Sequence, residues 1–459
     1  MRTGFHLALN ILVVGLFSSG RAEINFGGMI SFDSYLLYQD SNRVLYQQQS
    51  SSTGTNLYSS NRETAFNLPL LFNRIWGEYH SDDNIISAYF EIRAGEMHRN
   101  NDGQFWDLIY KGTDNRYEVA YAWLRWRPND IFHLTAGRQP QAYSLLSPQQ
   151  VVGFKYFHGL GNNFGNIYGG QGRDGVRADV YFNKVFRLAM MFIDPDTYRY
   201  GTNYEAPIRF NDKGESKEQN LFPRVDMALP VTMSSFRLEP SLTWLRQSYA
   251  HREIGSDNKF DIWGAALGAE VNVGRFSFNA EANLGQNLGD GNYSGAGEYY
   301  LSTRPYGSAD YYKLHSVVYS STDTLYDTLY KVANTDVISG WIDVGFKVKN
   351  VDPHIIFGLF RAQGDAMPVA DTSRFLEGRK FEKKALQLMA GISVPILVME
   401  KITITPEIMY YDWGGGSLSR TLMESYAGYT SGGVSARVPL SKENRGQELV
   451  AGIQTRFQF

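Results

Sequence analysis

Apolar and polar positions take turns along most of this chain, in stretches of about ten to fifteen residues. Ile24, Phe26, Gly28, Ile30 and Phe32 alternate with Asn25, Gly27, Ser31 and Asp33. Ile86, Ala88, Phe90, Ile92 and Ala94 stand against Ser87, Glu91 and Arg93, and Val176, Ala178, Val180 and Phe182 against Arg173, Arg177 and Asp179. The pattern recurs from Phe236 to Trp244, Phe276 to Leu284, Leu386 to Ile396, Ile402 to Tyr410 and Leu449 to Phe459. A period of two places neighbouring side chains on opposite faces of a strand, so each stretch predicts one greasy and one polar face. A soluble sandwich alternates in the same way, so this pattern alone leaves two architectures open.

The spacing of the stretches separates them. Long links are expected at about residues 39–65, 99–115, 139–171, 194–219, 250–257, 288–336, 364–382 and 413–446. Between them fall short turns near Ser81 to Asn84, Pro128 to Asp130, Asn183-Lys184, Thr232 to Ser235, Val273-Gly274, Asn350 to Pro353 and Met399-Glu400. Strict alternation of short and long connections belongs to transmembrane barrels, with tight periplasmic turns and extended extracellular loops. The expected fold is therefore all-β: a transmembrane antiparallel up-and-down β-barrel of about 16 strands, or about 18 if residues 417–440 form a further hairpin.

The start of the chain fits that destination. Arg2, the apolar run Leu7 to Phe17 and Gly20-Arg21-Ala22 read as a secretory signal over residues 1–22, leaving a barrel over residues 23–459. No later window approaches the 18 apolar residues of a spanning helix. With 45 glycines, 30 tyrosines and 28 phenylalanines the chain suits half-exposed strands joined by turns. It has no cysteine, which removes thiolate chemistry and covalent haem attachment, and its net charge of −3 gives no basic surface for nucleic acid.

The final stretch alternates Leu449, Ala451, Ile453, Phe457 and Phe459 with Glu448, Gln454, Arg456 and Gln458. An amphipathic closing strand with a terminal Phe resembles the signature that barrel-assembly machinery recognises in outer-membrane proteins. A second resemblance runs from Tyr117 to Phe192. Ala122-Trp123-Leu124-Arg125-Trp126-Arg127, Gly137-Arg138-Gln139, Val152-Gly153 and Arg173-Asp174-Gly175-Val176-Arg177 are similar to early strands of bacterial outer-membrane porin-like β-barrels, remotely to the alginate-export-like porin group. That resemblance implies outer-membrane lipids as surroundings, a Gram-negative host, and a monomer or homotrimer.

Enzyme motifs are weak. Gly170-Gln171-Gly172-Arg173-Asp174-Gly175 fits the dinucleotide fingerprint in letters, but leads into a strand rather than a helix. His80, His98, His133, His158, His251, His315 and His354 are scattered, and no G-x-S-x-G elbow occurs. The chain is read as no enzyme, with no cofactor and no metal.

Strand parity instead assigns candidates to the polar, pore-lining face: the bases Arg93, Arg173, Arg177, Arg187, Arg224 and Arg237, and the acids Glu270, Glu281, Asp343 and Glu407. Either an arginine wall faces an acidic one across the lumen, or the charges neutralise one another along the wall; Glu91, Asp179, Asp226 and Glu239 keep the second option open. Arg125 and Arg127 share parity with Tyr117, Val119 and Tyr121, which predicts outward interface anchors; Arg138 lies at the outer rim unless Gly137 is a bulge. Residues 139–172 mix apolar and flexible residues and are the candidate pore-constricting loop, with Lys155 and His158 lining it, unless the link packs on the surface. Tyr299, Tyr300, Tyr306, Tyr311, Tyr312 and Tyr319 suit an ordinary loop rim or a sugar-stacking one.

Three functions follow as expectations. The first is an outer-membrane porin for passive diffusion of small hydrophilic solutes or ions. The second is a barrel sheath around a partner such as a multihaem cytochrome. The third is a substrate-specific channel for an anionic polysaccharide.

Overall fold

The computed structural model describes residues 23–41, 44–46, 57–59, 63–95, 117–144, 146–148, 173–193, 218–220, 223–249, 259–289, 299–300, 304–305, 310–318, 326–364, 367–368, 380–381, 384–412 and 446–459. Sixteen strand positions form one antiparallel sheet. They are β1 (Glu23–Ser41), β2 (Glu63–His80), β3 (Ile86–Gly95), β4 (Tyr117–Trp126), β5 (Phe132–Gln139), β6 (Arg173–Tyr181), β7 (Arg187–Ile193) and β8 (Arg224–Ala228); then β9 (Phe236–Tyr249), β10 (Lys259–Val273), β11 (Phe276–Gln286), β12 (Thr335–Phe346), β13 (His354–Gly364), β14 (Lys384–Ser393), β15 (Ile402–Asp412) and β16 (Gly446–Gln458). Short pieces at Glu218–Asn220 and Val231–Thr232 extend β8, and Ile396–Met399 continues β14.

Each strand pairs with its successor, and β1 pairs with both β2 and β16, from Met29 opposite Gln458 to Ser41 opposite Gly446. The ring therefore has no free edge, the condition a sheet must meet to sit in hydrocarbon. Phe26, Ile75, Leu242, Leu284, Ile338, Ile355 and Ile453 stand exposed on its outer face. Such a belt is unfavourable against water and neutral against lipid tails.

The short turns gather at one rim, where three share one device. The Asp83 carboxylate accepts from the Ser81 hydroxyl at 2.6 Å and the Ile85 N–H at 3.0 Å. The Asn129 carbonyl accepts the N–H groups of Ile131 and Phe132 at 3.0 and 2.8 Å, and that of Asn183 accepts those of Val185 and Phe186, both at 2.8 Å. Side-chain capping of this kind is why Asp and Asn mark tight turns. The same bonds hold the Asp83 carboxyl below its ordinary range. Within the long links, Val44–Tyr46 pairs with Leu57–Ser59 and Asp310–Val318 with Tyr326–Ala333. The hairpin considered at 417–440 lies outside the described residues, as do the signal over 1–22 and the side chains or positions of Arg93, Lys155 and His158.

Two expectations about faces are corrected. Pairing slips between Glu91 and Ile92: Glu91 lies opposite Tyr121, and Ile92 opposite Val119. Ala120 is the extra residue of a β-bulge, which inverts parity downstream, so Tyr121, Trp123 and Arg125 point inward instead of toward lipid. Nor is the inner face polar throughout. Phe360, Met389, Met409, Tyr411 and Val450 occupy inner positions of β13 to β16 and are fully buried.

Candidate functional site: the inner wall and the segment that crosses it

After β5 the chain turns into the barrel. Gln141, Ala142, Tyr143, Ser144 and Leu146 are all buried, and Ser144 adopts a left-handed backbone, φ 52°, a conformation that bends the path. Before the bend, Gln139 donates from its amide to the carbonyls of Thr135 and Gly175, fixing the exit from β5.

The segment then runs over the inner faces of β7 to β11. Arg224 donates to the Gln141 side-chain carbonyl at 3.1 Å. Ala142 packs among Ala189, Met191, Ile193 and Ala228 of β7 and β8. The Ser144 N–H donates to the Ser241 hydroxyl at 3.2 Å on β9, and Tyr143 donates its hydroxyl to Asn283 at 3.2 Å on β11. Glu281, also on β11, accepts from the Ser144 hydroxyl, from the Leu146 N–H at 3.2 Å and from the Asn283 amide at 3.1 Å. A carboxylate with several donors is a strong anchor in a place shielded from water.

Room for this segment is built into β10, whose inner face reads Gly264, Ala266, Gly268. A Cβ added at Gly264 would stand 2.5 Å from the Tyr143 hydroxyl, and one at Gly268 would stand 2.8 Å from Leu146. Two glycines and an alanine thus make a seat that larger residues would fill.

The described candidate charges lie on the inner face, and three of the five arginines among them, Arg177, Arg224 and Arg237, meet an acid two residues further along the same strand. Arg224 holds Asp226 at two points, 2.6 and 2.8 Å, and both are fully buried beneath the crossing segment. Arg177 holds Asp179 at 2.8 Å, with Arg187 at 3.7 Å from the same carboxylate, and Arg237 holds Glu239 at 2.5 Å. A period of two makes i and i+2 neighbours on one face, so Arg-x-Asp and Arg-x-Glu are ion pairs written into the sequence. Of the other candidates, Arg173 and Glu407 are buried, Glu270 stands 3.9 Å from Arg237, and Asp343 is buried against His354 Nδ1 at 2.7 Å. Arg138 pairs across strands with Asp174 at the parity of Leu134 and Ala136, the outer face.

Sequence reading missed the seat on β10 and the inward aromatic run of β4. Trp123 stacks on Tyr89, ring centroids 5.6 Å apart, and Arg125 lies over Trp123 while donating to Thr135 at 3.0 Å. The signal for the run was the Ala122, Leu124, Trp126 parity; for the seat it was small residues at every second position. Gly175 of the formal dinucleotide fingerprint sits within β6, and among the described residues no three metal-ligating side chains converge.

No protein-family model matches the chain, and no curated protein matches it in sequence. Solved structures do resemble it. The outer membrane channel DcaP of Acinetobacter baumannii aligns with a TM-score of 0.53 at 11% identity, covering 96% of this chain and 99% of that one. Salmonella typhi OmpF, in complex with daunomycin, aligns at 0.49 and 10% identity over 95% and 97% of the two chains, and Pseudomonas putida OprB at 0.45 and 10% over 98% and 97%. At such identities the likeness concerns the backbone, and the alginate-export-like resemblance of residues 117–192 gains nothing from it. What the likeness to DcaP establishes is the fold alone, a closed antiparallel barrel of 16 strands.

Proposed function

We propose that the chain is an outer-membrane porin, a passive channel through which small hydrophilic solutes or ions diffuse without cofactor, metal or energy coupling. The observation that carries this reading is a ring with no edge, lipid-compatible outside, whose interior holds a segment that runs inward from β5 and is anchored to β8, β9 and β11. A binding protein needs no such ring, whereas a channel needs both the ring and a narrowing that sets its size limit. In this reading residues 1–22 are removed near Ala22, Phe459 engages the assembly machinery, and the segment beginning at Gln139 constricts the pore. Arg177, Arg187, Arg237 and Glu270 line the water path, and Arg224 and Glu281 hold the constriction. Oligomeric assembly as a homotrimer belongs to the same reading and is checked by crosslinking in membranes.

The sheath reading is disfavoured by the crossing segment, which takes the space a protein partner would need. The polysaccharide reading is disfavoured by the acid beside most inner arginines. Liposome swelling tests the proposal. Vesicles containing the purified barrel should swell in small sugars and amino acids at rates falling with solute size, and swelling no faster than protein-free vesicles would refute it.

A further inference from the structure

The arginines of the inner wall are of two kinds. Arg74, Arg177, Arg224 and Arg237 each hold a carboxylate within 3.2 Å. Arg125 instead donates to the neutral Thr135 and lies 4.6 Å from the Trp123 ring centroid. The charges acting on it are the cations Arg127 and Arg177 and the carboxylate Asp179, which Arg177 and Arg187 already share. His133, one strand over, feels Arg125 and Arg127 together with Asp179 and the turn residue Asp130. Cations therefore outnumber carboxylates here, and Arg125, which keeps part of its surface exposed, has no carboxylate within ion-pair distance among the described residues.

Flat rings surround the same spot. Trp123 continues into Tyr89 and Tyr121, while Tyr181 packs against His133 at 4.6 Å with Arg187 above it at 5.9 Å. Arg125, Trp123, His133 and Tyr181 each keep part of their surface exposed. A guanidinium stacked on an indole is held in place while its donor edge stays free for an oxyanion.

We propose that this patch on β4 to β7 is a binding subsite for solutes that carry a carboxylate beside a flat ring. The carboxylate takes the free edge of Arg125, drawn by the excess of cations around it, and the ring lies along Trp123 and Tyr181. Neither half suffices alone: an inorganic anion offers the rings nothing, and a neutral ring leaves the cations unpaired. The subsite rests on the channel reading for its purpose, not for its chemistry.

Equilibrium dialysis of the detergent-purified barrel against benzoate, acetate and benzyl alcohol tests it. Benzoate should bind roughly tenfold or more tighter than either of the others. Arg125→Gln should lower benzoate affinity by about the same factor, and Trp123→Leu should lower it for benzoate while leaving acetate unchanged. Acetate bound as well as benzoate by the unmodified barrel overturns the proposal whatever the variants do. So does benzoate binding that survives Arg125→Gln in a barrel with the native, heat-modifiable gel mobility. A barrel that conducts ions and retains no benzoate overturns the subsite and leaves the channel; one that binds benzoate and passes no current overturns the channel and leaves the subsite.

Discussion

Gly264 lies directly beneath the hydroxyl of Tyr143, where a single added methyl would come within 2.5 Å of that oxygen. The glycine on a wall strand and the tyrosine on a crossing segment, 121 positions apart in sequence, are thus shaped to each other. Replacing Gly264 with Val should push the segment off its seat at a cost of about 1–3 kcal/mol, the usual range for overpacking. The barrel should remain closed, and single-channel current should become larger or noisier. Current identical to the unmodified protein would mean that the segment does not limit flow.

Glu281 anchors the same segment through hydrogen bonds from Ser144 and Leu146. Glu281→Ala removes every acceptor at once and should weaken the attachment by about 1–3 kcal/mol, whereas Glu281→Gln keeps one carbonyl acceptor and should lose less. Protease accessibility of residues 141–148, compared between the two variants in intact vesicles, ranks them; equal protection in both contradicts the anchoring role.

Arg177 and Asp179 lie 2.8 Å apart on one strand face, so these two charges offset each other. Arg177→Gln alone should unmask the carboxylate and shift the reversal potential toward cation preference. The double change Arg177→Gln, Asp179→Asn should bring it back near the starting value. A double variant that shifts as far as the single one would indicate that the two charges act separately, as the opposed-wall alternative requires.

Strand number and turn positions were legible in the sequence because both rest on local chemistry: a period of two between Asp- and Asn-marked turns such as Asp83, Asn129 and Asn183. Parity failed where local chemistry was silent. Arg125 was assigned outward because nothing in Val119-Ala120-Tyr121 announces a bulge, and one extra residue inverts every side chain after it. Inner positions such as Phe360 and Met409 were equally hidden, since Ile355 to Phe360 is apolar at both parities apart from Gly358. The pairing of Arg177, Arg224 and Arg237 with the acid two residues on was visible in the sequence as Arg-x-acid and given too little weight.

At the seam, Gly28 and Phe459 exchange two backbone hydrogen bonds, of 2.9 and 3.0 Å, and the Phe459 ring lies where a Gly28 side chain would be. Gly28→Val should displace that ring and lower the temperature at which the barrel loses its compact gel mobility. Removal of Phe459 should lower the amount reaching the membrane as well. Unchanged mobility and yield in both variants would show that closure does not depend on this contact.

The account stands most directly on current through a lipid bilayer. Purified protein added to a planar membrane should produce discrete conductance steps that neutral polymers reduce only below a size limit, with that limit rising in Gly264→Val. A chain that stays dissolved without detergent and leaves the membrane silent would contradict it.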